Sequence, residues 1–454
     1  MTPARSPWPI FRVASIAVFL VSIDATVLYA AFPALRGAFA DATPADLSWV
    51  LNAYTVVYAA LLVPAGRIAD LRGRKRMFLT GLGVFLVASL CCGLATDVAT
   101  LIAMRALQAV GAALLLPASL SIVLAAFPAE RRAIAVSLWS AVAALASAVG
   151  PSLGSFLVDR WGWPWAFFLN LPPGAWAIWR GARILGESRR PELGARLDLV
   201  GVVLVIAGVG GLALGVVRSE AHGWASPGVV LALAGGLAAL GGFVAWARRI
   251  ATPAIDLSLF RDRTYRYINL ATLSYGIAFA MMFFQNFLYT TGVWHYSVSR
   301  AGLAASPGPL FVIPASIVSG RIATRIGHKA LLVAGSLVFA LGGLWFAWVP
   351  GIEPDYVRTW LPGMVLNGIG VGMVMPSLAA AAVAHLPPAQ FGVGSAVNQA
   401  VRQMGAVLGV ALTVALVGHA AIQRSDFRTL YACQIALSLI TAALCAPVDT
   451  RPRR

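Results

Sequence analysis

The chain consists largely of apolar runs of about 20 residues, separated by short segments that carry charge, glycine or proline. A run of this length matches an α-helix that crosses the ~30 Å hydrocarbon core of a bilayer. Only 11% of the 454 residues are charged, whereas 59% are hydrophobic. Because a soluble domain carries about 25% charged residues, there are too few here to cover a water-soluble particle. We therefore predict an all-α polytopic membrane protein and exclude a soluble enzyme, a secreted factor and a disordered regulator.

Fourteen of these runs are candidate transmembrane helices. Cytoplasmic loops carry an excess of Lys and Arg. With the N-terminus placed inside, 25 of the 34 Lys and Arg residues fall on the inner side, seven fall on the outer side and two lie within spans. We therefore expect both termini in the cytoplasm, and the net charge of +17 then requires no nucleic-acid partner. The approximate limits of the runs are 12–33, 47–65, 77–95, 99–126, 133–158, 164–182, 198–217, 228–247, 267–291, 302–320, 330–349, 359–384, 393–418 and 429–447.

Two segments, 66–75 and 320–329, align without gaps at an offset of 254 residues. They share Gly, Arg, Ile, Ala, Gly and Lys, and each follows the second helix of a possible six-helix group. Two parallel repeats of this kind surround a central binding site in secondary transporters. The predicted architecture is therefore 6+2+6, with two pseudo-symmetric six-helix bundles. Its domains are an N-terminal bundle over 1–185, an inserted two-helix segment with cytoplasmic linkers over 186–255, and a C-terminal bundle over 256–454.

Five polar motifs lie within or beside the first six spans. They are Asp24 through Pro33, Gly66 to Lys75, Leu101 through Gly111, Ala146 through Ser155, and Trp165 to Asn170. Together they resemble the motifs of the major facilitator superfamily, specifically its fourteen-span drug:proton antiporter branch. The resemblance implies a major facilitator fold. It also implies a proton-coupled antiporter that exports small amphipathic or hydrophobic compounds, such as drugs and antibiotics, by alternating access across a bacterial plasma membrane.

Asp24 is the only carboxylate well inside an apolar run. A charge there costs about 2.5–3.5 kcal/mol on insertion scales, and desolvation favours the protonated acid. Arg105 lies within about 5 Å of the same depth at ~1.5 Å per residue, and its guanidinium cannot lose its charge. We predict that Asp24 and Arg105 are the proton-coupling residues. The alternatives are a purely structural ion pair, a carboxylate that only faces a wet cavity, or an arginine that only orders water and neighbouring carbonyls.

The segment after the second span acts in the family as a conformational latch, with its acid near a helix end of the opposite half. An acidic side chain is stabilised near a helix N-terminus, because the helix dipole is positive at that end. Positive charge that only fixes membrane orientation would explain the arginines but neither the acid nor the glycines. The residues that match the latch are Gly66, Asp70, Arg72, Gly73 and Arg74.

The fifth span carries the antiporter motif of the family at Gly150, Pro151 and Gly154. Proline removes a backbone hydrogen bond, and glycine lets neighbouring helices approach closely. We expect the Gly150–Pro151 pair to break the fifth helix. Packing is the simpler interpretation of this motif, and it is compatible with the role in limiting proton leak that the resemblance implies.

Polar side chains within other spans are candidates for the lining of a substrate cavity. Asn398 and Arg402 share one helical face because they are four residues apart. The sequence leaves open whether this polar stripe binds substrate or only holds helices together. The full set of candidates is Asn52, Tyr54, Tyr58, Gln108, Gln285, Asn286, Asn398, Arg402 and Gln403.

The sequence contains no Walker loop, no metal-ligand spacing and no cluster of catalytic acids or histidines. We therefore expect no enzyme activity, no cofactor and no metal site. The expected partners are the lipid bilayer, protons and a small-molecule substrate, and the expected assembly is a monomer. A dedicated exporter or importer of one endogenous metabolite is the alternative function.

Overall fold

A computed structural model of the chain describes residues 6–128, 132–188, 198–251, 253–386, 391–417, 424–448 and 450. Within these ranges every regular element is helical. Eleven of the described helices are long and apolar enough to cross a membrane, and a shorter apolar helical segment covers Asp46–Leu62. The chain is therefore an all-helical, multi-pass membrane protein.

Sixteen α-helices lie within the described ranges. A short 3₁₀ turn, Leu257–Arg261, precedes α10, and a π turn, Tyr356–Trp360, precedes α14. The helices are α1 Trp8–Ala38, α2 Pro44–Arg72, α3 Arg74–Gly93, α4 Val98–Ala126, α5 Arg132–Trp161, α6 Trp165–Phe168, α7 Leu171–Ile184, α8 Leu199–His222, α9 Pro227–Ala247, α10 Arg263–Gly292, α11 Val298–Ala305, α12 Pro307–Ile326, α13 Lys329–Trp348, α14 Leu361–Val383, α15 Phe391–Val417 and α16 Arg424–Cys445.

Helical structure covers the predicted apolar runs in chain order, but two of the predicted helices are not continuous. The run 164–182 is divided into α6 and α7, and the run 302–320 is divided between α11 and α12. Proline stands in the first turn of both α7 and α12. Since proline lacks a backbone N–H but fits the first helical turn, each of these positions favours the start of a new helix.

The segment 66–75, which lies between the predicted runs 47–65 and 77–95, is mostly helix. α2 continues to Arg72 and α3 begins at Arg74, so the single residue Gly73 forms the turn. Gly73 has φ +112°, and Gly327, at the matching position between α12 and α13, has φ +79°. Glycine adopts positive φ without the steric cost that other residues incur. The glycine shared by the two repeats is thus explained by a tight turn between helices.

The helix α5 continues through Gly150 and Pro151, so the prediction that this pair breaks the fifth helix is wrong. Packing against α1 maintains the helix despite the missing hydrogen bond. A Cβ added at Gly150 would overlap the Thr26 hydroxyl, and one added at Gly154 would lie 2.7 Å from Cγ1 of Val27. The motif therefore allows α1 and α5 to approach closely.

The helices pack in two groups with a hairpin beside them. Helices α1 to α7 pack with one another, as do α10 to α16, and α8 pairs with α9. Between the groups, α2 packs on α15, while α5 packs on α11 and α12. The hairpin packs through α8 on both α2 and α15, in a hydrophobic cluster that includes Val56, Val205, Phe243 and Val407. It therefore contacts both groups at once.

The hydrophobic core joins the two groups at one end. There, Leu35 and Leu47 belong to the same cluster as Phe284 and Phe427. At the opposite end, two clusters formed by the described residues each belong to a single group. One contains Phe11 at the start of α1 and Phe127 after α4, and the other contains residues of α10 and α16. The groups are therefore packed together more closely where α1 ends than where it begins.

Candidate functional site

Asp24 lies in the middle of α1 and is only 2% exposed. Its Oδ2 accepts a hydrogen bond from Nη1 of Arg105 at 2.6 Å. Its Oδ1 accepts hydrogen bonds from Nε2 of Gln108 at 2.8 Å and from Nδ2 of Asn170 at 2.9 Å. Since an ionised carboxylate can only accept hydrogen bonds, these three donors match the charged form of Asp24.

Arg105, on α4, is 1% exposed. Its Nη1 also donates to Oε1 of Gln108 at 2.5 Å, and its Nε donates to the Val50 carbonyl at 3.0 Å. The guanidinium carbon lies 4.2 Å from the centre of the Tyr54 ring, within the range of a cation–π interaction. Removing one partner of such a buried pair costs about 3–5 kcal/mol, because the other charge is left uncompensated.

Two residues of this site, Asn170 and Ser89, were missed by the sequence analysis. Asn170 stands at the break between α6 and α7, which places its amide beside Asp24. Ser89, on α3, accepts hydrogen bonds from Gln108 at 2.8 Å and from Asn170 at 3.3 Å. An amide at the end of the motif Trp165 to Asn170 was a usable signal. A single serine in an apolar helix offered none.

Several cavity candidates hold helices together. On α10, Nε2 of Gln285 donates to Oε1 of Gln434 at 2.6 Å. Beside it, Oδ1 of Asn286 accepts a hydrogen bond from the Tyr431 hydroxyl at 3.0 Å. These bonds join α10 to α16. Asn52 on α2 is buried, and both polar atoms of its side chain lack a hydrogen-bond partner among the described residues.

The polar stripe of α15 faces two different neighbours. Nδ2 of Asn398 donates to Oδ1 of Asn269 at 3.1 Å and to the Thr272 hydroxyl at 2.9 Å, both on α10. Arg402 donates through Nε to Oε1 of Gln399 at 3.1 Å. On α2, Tyr58 lies beside this pair. Gln403 is half-buried. The structure thus brings Tyr58 and Arg402 together and places Asn398 against α10.

The predicted latch is described only in part. Gly66 is half-buried and Arg72 is exposed, whereas the side chain of Asp70 lies outside the described residues. The backbone N–H of Arg74 donates to the Ser188 carbonyl at 3.1 Å. The predicted contact of the acid with a helix of the opposite half therefore stays a prediction.

A carboxylate that the sequence analysis missed caps the start of α3. Glu187 accepts hydrogen bonds from the backbone N–H groups of Lys75 and Arg76, both at 3.1 Å. Negative charge at a helix N-terminus satisfies free N–H groups and complements the helix dipole. The second repeat has a similar arrangement, since the backbone N–H of His328 donates to the Thr450 hydroxyl at 2.8 Å.

Metal ligands are not grouped in the part of the chain that the structure describes, where no three His, Cys, Asp or Glu side chains could together hold an ion. The chemistry available at the buried site is therefore that of the Asp24–Arg105 pair and its amide donors.

Comparison with known proteins identifies the family. The model of the Major Facilitator Superfamily matches residues 14–410 and 269–454. The cephamycin export protein CmcT of Amycolatopsis lactamdurans is 37% identical over 406 residues, which is 88% of this chain and 83% of the relative. The multidrug resistance protein Stp of Mycobacterium tuberculosis is 32% identical over 398 residues, or 87% of this chain and 73% of the relative.

A third relative, the tetracenomycin C resistance and export protein of Streptomyces glaucescens, is 30% identical over 420 residues, covering 90% of this chain and 77% of the relative. These relatives are antibiotic and multidrug exporters or resistance proteins. A buried ion pair inside a bundle of apolar helices is consistent with membrane transport. Because the family model and the relatives each span most of its length, this chain belongs to the Major Facilitator Superfamily.

Proposed function

We propose that the protein is a proton-driven antiporter that exports small amphipathic or hydrophobic compounds, antibiotics among them, across a bacterial plasma membrane. The names of the relatives support drug efflux. One observation carries the proton coupling: the Asp24 carboxylate and the Arg105 guanidinium form a buried pair at 2.6 Å in the middle of the bundle.

We assign fourteen spans with both termini in the cytoplasm, arranged as two six-helix bundles, 1–185 and 256–454, around an inserted pair within 186–255. The packing of α1 to α7 and of α10 to α16 as separate groups supports this arrangement. In this orientation the end where the hydrophobic core joins the bundles faces outward. The end where the two bundles are packed less closely then faces the cytoplasm, where an exporter takes up its substrate.

Protonation of Asp24 would change the balance of forces inside the N-terminal bundle. A proton on either carboxylate oxygen removes the negative charge that Arg105 faces. Two unit charges 4 Å apart attract each other by about 4 kcal/mol at an effective dielectric constant of about 20. Loss of this attraction frees Arg105 to take other partners and favours a second conformation of the bundles. Substrate binding and protonation then alternate as the bundles rock.

The proton gradient provides enough free energy for this cycle. Each unit of pH difference is worth about 1.4 kcal/mol per proton. A membrane potential of 100 mV adds about 2.3 kcal/mol per charge moved. One or two protons per cycle would therefore drive a sizeable concentration gradient of the exported compound.

A dedicated exporter of one endogenous metabolite is the second candidate function. Two relatives carry the name of a single antibiotic, cephamycin or tetracenomycin C. Comparing the resistance profiles of cells with and without the protein distinguishes the two functions. Resistance to one compound alone favours the dedicated exporter, whereas resistance to several unrelated compounds favours the broad one.

The role of Asp24 is tested by reconstituting purified protein in liposomes that contain a pH-sensitive dye. An imposed pH gradient should drive transport of compounds from an antibiotic panel in the wild type. Asp24→Asn should abolish this coupled transport, since the amide cannot bind and release a proton at physiological pH. Asp41→Asn removes the same charge from an exposed loop residue and should leave transport unchanged.

The melting temperature of Asp24→Asn is measured alongside, so that a loss of folding is recognised. Coupled transport that persists in a folded Asp24→Asn protein would remove this carboxylate from the mechanism. If the wild type itself moves neither compounds nor protons, the transport proposal as a whole is wrong.

A further inference from the structure

A second arginine, Arg402, lies inside the bundle. It is the twelfth residue of α15, a helix of 27 residues. At 1.5 Å per residue it is about 17 Å from the start of a helix about 40 Å long, which places it near the middle. Unlike Arg105, which is sealed from solvent, Arg402 is partly accessible. Part of the Arg402 side chain is therefore exposed at the surface of the packed helices.

The positive charge of Arg402 has no acidic partner among the residues that the structure describes. No carboxylate among the described residues forms an ion pair with it, and Asp24, the one acid well inside an apolar run, is paired with Arg105. A guanidinium keeps its charge at this depth, and a charge inside the membrane needs a partner or water. As far as the described part of the bundle goes, Arg402 is therefore a cation available to an external anion.

A hydroxyl donor lies next to this cation. Tyr58, on α2, is 1% exposed and lies beside Arg402 and Gln399. Its hydroxyl has no hydrogen-bond partner of normal geometry within the described ranges, although a buried polar group without a partner is costly. Guanidinium N–H groups together with a hydroxyl donor suit the two oxygens of a carboxylate or a similar oxyanion.

The same tyrosine connects this position to the buried pair. The rings of Tyr54 and Tyr58 are stacked on one face of α2, with their centres 5.9 Å apart and their planes 16° from parallel. The Tyr54 ring in turn lies against the guanidinium of Arg105. A movement of α2 therefore affects the surroundings of both arginines.

We propose that Arg402 and Tyr58 bind the anionic group of the exported compound, so that the preferred substrates are amphipathic molecules bearing a carboxylate or a similar oxyanion. This inference rests on the proposed transport function and adds the substrate class to it. Arg402 provides the charge and Tyr58 the neutral donor. The substrate's apolar part remains between the bundles, and protonation of Asp24 acts on the anion site through α2.

Binding of two fluorescent probes of nearly equal shape tests the proposal. The probes are 1-pyrenebutyrate, which is anionic at neutral pH, and its uncharged primary amide. The full-length protein is measured in nanodiscs of phosphatidylcholine, where no anionic lipid headgroup competes and no proton gradient exists. Since hydrogen bonds to charged groups are stronger than those between neutral groups, the wild type should bind the carboxylate about 10-fold to 100-fold more tightly than the amide.

Variants of Arg402 distinguish charge recognition from a structural role. Arg402→Gln should remove the preference for the carboxylate while amide binding stays within a few-fold of the wild type. Arg402→Lys should restore part of the preference, because it keeps the charge without the fork of donors. Arg358→Gln is the control, because it removes an exposed arginine in the turn before α14, outside the proposed site. This variant should keep the full preference.

The proposal is overturned if the wild type shows no preference between the probes, or if a folded Arg402→Gln protein retains it. Because this binding assay needs no pH gradient, its result is independent of the liposome experiment on Asp24. A wild type that shows no proton-coupled transport but keeps its preference for the carboxylate would contradict the transport proposal alone.

Discussion

The amide of Asn170 donates one of the three side-chain hydrogen bonds that reach the Asp24 carboxylate. A hydrogen bond donated to the charged form of an acid favours that form over the protonated one. In the proposed mechanism Asn170 is therefore a positioning residue, because it acts through the Asp24 carboxylate. Its contribution should be visible in the pH dependence of transport.

We expect Asn170→Ala to shift the pH midpoint of coupled transport upward, since a hydrogen bond to the ionised carboxylate is lost. The measurement is the initial rate of transport in liposomes at a series of external pH values. Asn367→Ala removes a buried amide of α14 for which no hydrogen-bond partner lies in the described ranges. It should leave the midpoint unchanged, and an equal shift in both variants would contradict a specific role for Asn170.

The residues of this site differ in how well the sequence predicts them. Asp24 and Arg105 stand out because a charge within an apolar run needs a reason to be there. Asn170 and Ser89 are ordinary polar residues whose role depends on how α3, α4 and α7 pack around α1. Likewise, the proximity of Tyr58 and Arg402 arises from the packing of α2 on α15. Contacts between helices that are far apart in the chain are not encoded in any local pattern.

At the scale of the elements, the turn between α2 and α3 depends on a single residue. Gly73 has a positive φ, and a Cβ added there would lie 2.5 Å from the carboxylate of Glu187. An alanine would therefore meet both backbone strain and the group that caps α3. The length of the apolar runs predicts that helices exist here, but it does not locate this turn, because the basic residues before Gly73 are themselves good helix formers.

Gly73→Ala should lower the stability of the protein by at least about 1–2 kcal/mol, the usual cost of forcing a side chain into a left-handed conformation. The melting temperature of the purified protein in detergent measures this effect. Gly83→Ala is the matched control, because Gly83 lies within α3 and an added Cβ would meet no atom within 4 Å. Its melting temperature should stay equal or rise. Equal losses in the two variants would disprove the turn argument.

At the scale of the whole molecule, the two helix groups meet at the end where the core is continuous. Part of this seam is formed by Ser152 on α5 and Ser306 at the start of α12, whose hydroxyl groups are in direct contact. Nearby, a Cβ added at Gly302 would overlap the Pro151 carbonyl and the Ser155 hydroxyl. In the proposed transport cycle, release of a substrate to this side requires these surfaces to separate.

A disulfide across the seam should therefore stop transport. We expect the double variant Ser152→Cys with Ser306→Cys to lose coupled transport in liposomes after mild oxidation and to regain it after reduction. Each single variant, oxidised in the same way, should remain active. A cross-linked protein that still transports at the wild-type rate would show that the seam does not open during the cycle.

The left-handed turns at Gly73 and Gly327 occupy matching positions of the two repeats, while the chemistry around them has diverged. Asp70 of the first copy corresponds to Thr324 of the second. If both halves descend from one duplicated ancestral gene, the geometry of the main chain has outlasted the charges beside it. Selection could then adapt one half to proton coupling and the other to substrate recognition, while both halves kept the same glycine turn between helices.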